Sequence, residues 1–301
     1  MENETLKDED TTVSLFDREE REILHIYHYN NDDTPSSEPF LTLSQYASSD
    51  DRWGIHSSVW DGGIALSSYL LREQATRLQD GRNLVVIDLG SGTGIVGLAI
   101  SKARRFSAAK RVFLTDIAEA LPLLEKNLEL NRNATENEDC CCCAEFCQVK
   151  ELEWGRNEVF EDGNSWIHQV KRQMRTEGTK STVWLTGADI VYRVSLFRLL
   201  LMTIVQLFEL LQDDGLNAQI ECVLACQSIR THLKEFWKMA SSSDFGFTCR
   251  LIAIVDLPSF PIDQIRLGDA SILRSDERLT LENAPVRAGC IWIVKLSRTT
   301  T

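Results

Sequence analysis

Asp88-Leu-Gly90-Ser91-Gly92-Thr-Gly94 carries the densest chemical signal in the chain: one carboxylate followed by three glycines at alternate positions. Glycine adopts positive φ without strain and lets a ligand approach the backbone without meeting a Cβ. Ahead of this turn, Leu84 to Ile87 and Leu89, around Asp88, read as a buried strand; behind it, Ile95, Val96, Leu98, Ala99 and Ile100 read as an apolar helix. Strand, glycine turn and helix open a βαβ unit, and the helix N-terminus offers free N–H groups to whatever lies in the turn. Gly92-Thr-Gly94-Ile-Val-Gly97 also matches the dinucleotide fingerprint, so a nicotinamide dinucleotide competes with S-adenosylmethionine for this place. Asp88 decides between them. A carboxylate two residues before the first glycine suits a ligand carrying an ammonium group and sits badly beside a pyrophosphate. A glycine motif alone is weak, and it gains weight only from partner residues placed elsewhere in the chain.

Asp116 lies 28 residues later, at the tip of the next expected strand, Arg111–Thr115. An acid there is placed to accept hydrogen bonds from a ribose diol, and it can also cap the following helix. That helix, over residues 119–131, carries Leu121, Leu124 and Leu128 on one face and stops at Asn131. Upstream, Trp60 precedes an amphipathic helix over 64–78; from residues alone it reads as core or lid. Further strands are expected over 144–149, 182–192, 219–226, 248–256 and 289–296, with helices over 195–211 and from Arg230 to Ala240. Residues 156–181 read as a polar insertion and 257–288 as a Pro-containing excursion. The alternation implies an α/β, Rossmann-like, doubly wound sheet of seven strands, mostly parallel, with the last strand antiparallel. Residues 1–38 read as an acidic flexible arm with a short helix over 14–29, and 39–301 as one catalytic domain opening on a strand at Phe40–Ser44.

Composition bounds the function. The net charge of −13 is uneven: residues 1–52 hold fourteen acidic and four basic side chains. No basic stripe appears, so nucleic acid is not an expected partner. No apolar run reaches the ~20 residues that span a bilayer, and no secretory signal is expected. Four of the nine cysteines stand together at Cys140–Cys143, and neither Cys143/Cys147 nor Cys222/Cys226 has a second pair at zinc spacing. Reduced thiols, no metal, a monomer and the cytoplasm are expected, with the nucleus left open.

Five segments in order carry a more specific resemblance: Val59-Trp60-Asp61, Asp88-Leu-Gly-Ser-Gly-Thr-Gly94, Thr115-Asp116 with Leu121-Pro-Leu-Leu-Glu-Lys-Asn127, Leu152-Glu-Trp154-Gly155, and Gly187-Ala-Asp189-Ile-Val-Tyr192. Together they resemble the family-16 class I methyltransferases, the methyltransferase-like protein-lysine methyltransferases. The resemblance covers about Trp60 to Trp237. It implies S-adenosylmethionine as cofactor and a lysine-bearing protein, of the chaperone, AAA ATPase or translation-factor class, as substrate. It makes Gly90, Ser91 and Gly92 the backbone cradle, Asp116 the ribose ligand, Trp60 a cofactor contact, Trp154 a wall for the adenine and Ala188 a close contact at the sulfonium end. Asp189 would capture and orient the target amine, with Tyr192 shaping its channel.

The chain departs from the family pattern in the long segment between Trp154 and Asp189, in Arg193 after the tyrosine, and in the expanded tail from Leu257. The Asp-Ile-Val-Tyr motif lacks the prolines of amide and adenine methyltransferases, and the paired glutamates of arginine methyltransferases are missing. A histidine or non-protein acceptor, a silent binding protein on the same fold and a nicotinamide enzyme remain the alternatives.

Overall fold

Strand β1 (Ile23–Tyr27) pairs antiparallel with β2 (Leu41–Ser44) in this computed structural model. The structure describes residues 23–27, 39–46, 55–74, 82–103, 110–132, 147–212, 216–258, 264–275 and 279–298. Helix α1 (Asp61–Tyr69) comes next and runs into a π turn at Leu70–Gln74. Then come β3 (Asn83–Leu89), α2 (Ile95–Lys102), β4 (Lys110–Asp116), α3 (Leu121–Arg132) and β5 (Cys147–Glu151). Two helices, α4 (Glu158–Glu161) and α5 (Trp166–Glu177), precede β6 (Ser181–Ala188). The chain continues through α6 (Val194–Leu211), β7 (Ala218–Gln227), α7 (Leu233–Ala240) and β8 (Phe247–Asp256). It ends with β9 (Gln264–Arg266), β10 (Ser271–Arg274) and β11 (Cys290–Arg298).

The large sheet has the order β10-β8-β11-β7-β6-β3-β4-β5. Strands β7, β6, β3, β4 and β5 run parallel, and β11 lies between β7 and β8, antiparallel to both. The seven expected strands are thus present, with the final one reversed. Because β3 sits mid-sheet and the chain leaves it first to β4 and later to β6, the crevice at its carboxyl end is the topological switch point. The strand is buried on both sides: Val85 and Ile87 join one core, Leu84 and Val86 the other.

Several elements differ from expectation, and each has a physical reason. Residues 23–27 form a strand where the sequence predicts a helix over 14–29. Leu24 and Ile26 are buried with period two, and pairing with β2 and, in parallel, with β9 fixes them. This strand falls inside the stretch expected to be an arm. The 257–288 excursion supplies β9 to that second sheet (order β2-β1-β9) and β10 as an eighth strand on the large one. The 156–181 insertion holds α5, whose Ile167, Val170 and Met174 recur at helical spacing and bury one face, with Trp166 5.2 Å from Phe113. The expected 133–143 loop, including Cys140–Cys143, lies outside the described residues.

Helix α6 is the one described helix long and apolar enough to cross a bilayer; Phe197, Leu200, Leu201, Ile204, Leu207 and Phe208 use that character in the core. On the opposite face, α3 holds the small sheet through two side-chain amides. Asn127 accepts the Ser44 N–H at 2.6 Å and donates to the Ser44 carbonyl at 2.9 Å, and Asn131 does the same for Thr42 at 3.1 and 2.8 Å. Asn127 Nδ2 also reaches the Thr93 carbonyl at 2.9 Å, tying this layer to the glycine turn.

Candidate active site

The turn after β3 is built by its own glycines. Gly90, Gly92 and Gly94 all hold positive φ (59°, 55° and 84°). A Cβ on Gly90 would lie 2.9 Å from Ile190 Cγ2 and 3.0 Å from the Trp154 ring, and one on Gly92 would meet the His56 carbonyl at 2.9 Å. The turn is pinned to β4: the Ser91 N–H donates to the Thr115 carbonyl (2.9 Å), and Ser91 Oγ and Thr115 Oγ1 both donate to the Asp88 carbonyl (2.8 Å each). Gly97 lets α2 settle closely onto β4, where a Cβ would clash with Leu114.

Two carboxylates flank this turn. Asp116 Oδ2 accepts the Gly92 N–H and Oδ1 the Ile117 N–H, each at 2.8 Å. The acid at the strand tip therefore holds the glycine turn in shape. Burial pushes its carboxyl above the ordinary aspartate range, against those two backbone donors. Asp88 lies beneath the turn and is 2% exposed. Its Oδ1 accepts the Thr186 hydroxyl at 2.7 Å, while Oδ2 is buried without a hydrogen bond. Burial lifts it to about 6, with the Thr186 hydroxyl pulling the other way. Asp88 is thus a buried carboxyl beneath the turn and not an exposed side chain.

A third carboxylate closes the far end. Asp189, immediately after β6, is the one non-glycine among the described residues with positive φ (55°). Its Oδ2 accepts the Gly62 N–H at 2.7 Å and its Oδ1 the Gln227 N–H at 3.2 Å, with Gln227 Nε2 3.4 Å from Oδ2. The backbone N–H of Asp189 donates to Ala225 O at 2.8 Å. Trp60, the residue in the N-cap position of α1, makes no side-chain cap, so Asp189 supplies that acceptor from across the chain. A Cβ on Gly62 would fall 2.6 Å from Asp189 Oδ2, which is why glycine stands there. Burial raises Asp189 to about 6; the Gly62 and Gln227 donors and the Arg230 charge oppose that rise, while Asp61 adds to it.

Aromatic rings wall the space between. Trp154 packs over Gly90, and the next residue, Gly155, donates its N–H to Thr203 Oγ1 on α6 at 3.0 Å. Trp60 Nε1 donates to the Ile55 carbonyl at 2.8 Å, and Arg230 Cζ stands 5.9 Å from its ring centroid. Tyr192 is half-buried; burial raises its phenol, and the Asp116 charge adds to the rise, placing both in one electrostatic neighbourhood. Ala188, partly exposed at the end of β6, pairs with Ala225.

All ten residues singled out from sequence gather at the carboxyl ends of β3, β4 and β6 or on segments bonded to them. Sequence reasoning passed over Gly62, Gln227, Arg230 and the His56 carbonyl. Of these, Gly62 and Gly63 carried a signal, since paired glycines at a helix start mark a close approach. None of the three aspartates forms an ion pair with a described residue. Two buried carboxylates without an ion pair, Asp88 and Asp116, fit a positively charged nucleotide, and the glycine cradle fits its close approach.

Comparison with known proteins agrees with this geometry. Residues 41–243 match the profile of a family described as lysine methyltransferase. EEF1A lysine methyltransferase 3 of Xenopus tropicalis is 28% identical over 152 residues, covering 50% of this chain and 52% of that protein. Protein-lysine N-methyltransferase EFM6 of Saccharomyces cerevisiae is 35% identical over 86 residues, covering 26% of this chain and 35% of that protein. Protein N-lysine methyltransferase METTL21A of Danio rerio is 28% identical over 154 residues, covering 51% and 56%. The matched region thus spans between about a third and a little over half of these relatives' lengths.

Proposed function

The chain belongs to the lysine methyltransferase family, and on that footing we propose that it transfers a methyl group from S-adenosylmethionine to a lysine side-chain amine of another protein. The observation that carries this reading is three carboxylates without an ion pair, Asp88 and Asp116 buried and Asp189 partly so, arranged around a positive-φ glycine turn at the switch point of the sheet. When bound, the cofactor supplies a methyl carbon already activated by a positive sulfur. Gly90, Ser91 and Gly92 would hold it by backbone contact, and Asp116 by the ribose. Trp60 and Trp154 would wall it, Ala188 would leave room at the sulfonium end, and Asp88 would balance its charge from below.

The protein's remaining tasks are alignment, exclusion of water and control of one proton. A lysine near its ordinary pKa of ~10.4 arrives as an ammonium and has no lone pair. Asp189, ionised at neutral pH, draws that cation to the mouth, because a carboxylate held at about 6 has lost its proton by then. The Arg230 charge beside it works in the opposite sense and lowers the amine's hold on its proton, which leaves to solvent. Tyr192, its phenol kept neutral by burial, lines the approach.

Elongation factor 1A, named in the Xenopus relative, is the first acceptor to assay. Purified protein, tritiated S-adenosylmethionine and that factor are incubated together, and peptides are read by mass spectrometry. A 14-dalton increment on a lysine supports the reading. Tight cofactor binding with no label on this factor or on any protein of a native lysate would instead leave a silent binding protein.

A further inference from the structure

Beside the mouth formed by Asp189 and Tyr192, the carboxyl ends of β6 and β7 and the loop entering β11 leave aliphatic side chains in solvent. Val194 is 45% exposed, Ile229 50% and Val286 62%. Exposed aliphatics scattered singly are ordinary, but these three stand on segments that hydrogen bonds tie to one another. The Gln227 N–H to Asp189 ties the β7 turn to the end of β6. Ser228 Oγ donates to the Arg287 carbonyl at 2.9 Å and accepts the Arg287 N–H at 3.1 Å, which ties the β11 loop to the same turn.

Two cations stand among them. Arg193 Cζ is 5.8 Å from the Tyr192 ring centroid and Arg230 Cζ 5.9 Å from that of Trp60. Neither forms an ion pair with a described residue, whereas Arg287 is already paired with Asp256 at 2.6 Å. An apolar rim with two guanidiniums that make no ion pair with a described residue, Arg230 also acting on Asp189, has a definite complement: an apolar protein surface carrying acidic side chains.

We propose that this rim docks a folded protein whose target lysine emerges from apolar surface with acidic residues beside it, placed to meet Arg193 and Arg230. The proposal rests on the lysine-methylation reading and adds how the substrate is chosen. A flexible acidic peptide would not supply a preformed apolar face opposite Val194, Ile229 and Val286, so folded structure in the substrate is part of what is recognised.

The test uses tritiated S-adenosylmethionine and lysate of cells lacking this protein, either native or heat-denatured. Wild type is compared with Ile229→Asp, Val286→Asp and Arg193→Glu, and cofactor affinity is measured by calorimetry. The expected result is cofactor affinity within twofold of wild type in every variant, label in native lysate reduced at least tenfold, and little label in denatured lysate even with wild type. Variants that label native lysate as well as wild type overturn the proposal. So does equal labelling of denatured lysate, which would mean a linear motif, and so does loss of cofactor binding, which would assign the rim to the cofactor. Failure of wild type to label any lysate refutes the methylation reading itself and is a separate result.

Discussion

Replacing Asp189 with asparagine separates the charge of that side chain from its hydrogen bonds. The carboxyl titrates at about 6 in the folded protein against 3.8 for the free side chain. A difference of that size corresponds to about 3 kcal/mol. The folded-state value is the raised one, so the folded protein binds the proton more tightly than the unfolded chain. This stabilisation is complete below pH 3.8 and is lost as the pH rises through about 6. About 2 kcal/mol of it disappears between roughly pH 4.5 and pH 7.5. Asparagine keeps an oxygen for the 2.7 Å bond from the Gly62 N–H, gives up the longer 3.2 Å bond from the Gln227 N–H, and does not titrate. These hydrogen-bond losses shift the variant by a constant and add no pH dependence, so the difference from wild type isolates the titration at position 189. Urea or thermal unfolding followed by tryptophan fluorescence at a series of pH values should therefore show the variant gaining on wild type by about 2 kcal/mol over that interval, or roughly 4 °C in Tm. Asp189→Ala differs in kind. It orphans the Gly62 and Gln227 N–H groups, at about 1–3 kcal/mol each, and should be less stable than the asparagine variant at every pH. Parallel pH profiles for wild type and Asp189→Asn would refute the account of this residue as a buried, charge-bearing cap.

Cofactor binding should depend on pH through Asp88, lifted by burial to about 6: affinity for S-adenosylmethionine falls about fivefold between pH 6 and pH 5, with proton release visible by calorimetry in two buffers. An affinity flat over that range would remove Asp88 from the binding electrostatics. Gly90→Ala puts a Cβ at φ 59° against Ile190 and Trp154; it should cost about 1–3 kcal/mol and abolish cofactor binding in a protein that still unfolds cooperatively. Asp116→Ala frees the Gly92 and Ile117 N–H groups and should weaken cofactor binding at least tenfold, measured by calorimetry, while leaving the far-ultraviolet circular dichroism unchanged.

The strands of the large sheet were readable because β3, β4, β6 and β7 are short apolar runs bounded by glycines, acids or turns, a pattern set locally. The glycine turn was readable for the same reason, since its positive-φ glycines and Asp88 lie within seven residues. What escaped was set by distance along the chain. Leu24 and Ile26 take a strand conformation because β2 and β9 offer edges to pair with, and neither partner is visible in the local pattern. The amphipathic face of α5 is carried by three residues, Ile167, Val170 and Met174, in a segment otherwise polar, so composition concealed it. The resemblance predicts amine capture for Asp189. Its cap on α1, from 127 positions away, required the fold.

The parallel pairing of β1 with β9 joins residues 25–27 to residues 264–266. During synthesis, β3 to β7 emerge and can assemble the crevice while β1 still has no partner on that side. The small sheet is therefore sealed late, by a strand that follows β1 by more than 230 residues. Substitutions that break the β9 pairing alone would leave the crevice's strands β3, β4 and β6 and the central β11 in place yet uncover one flank of β1, an open template for self-association.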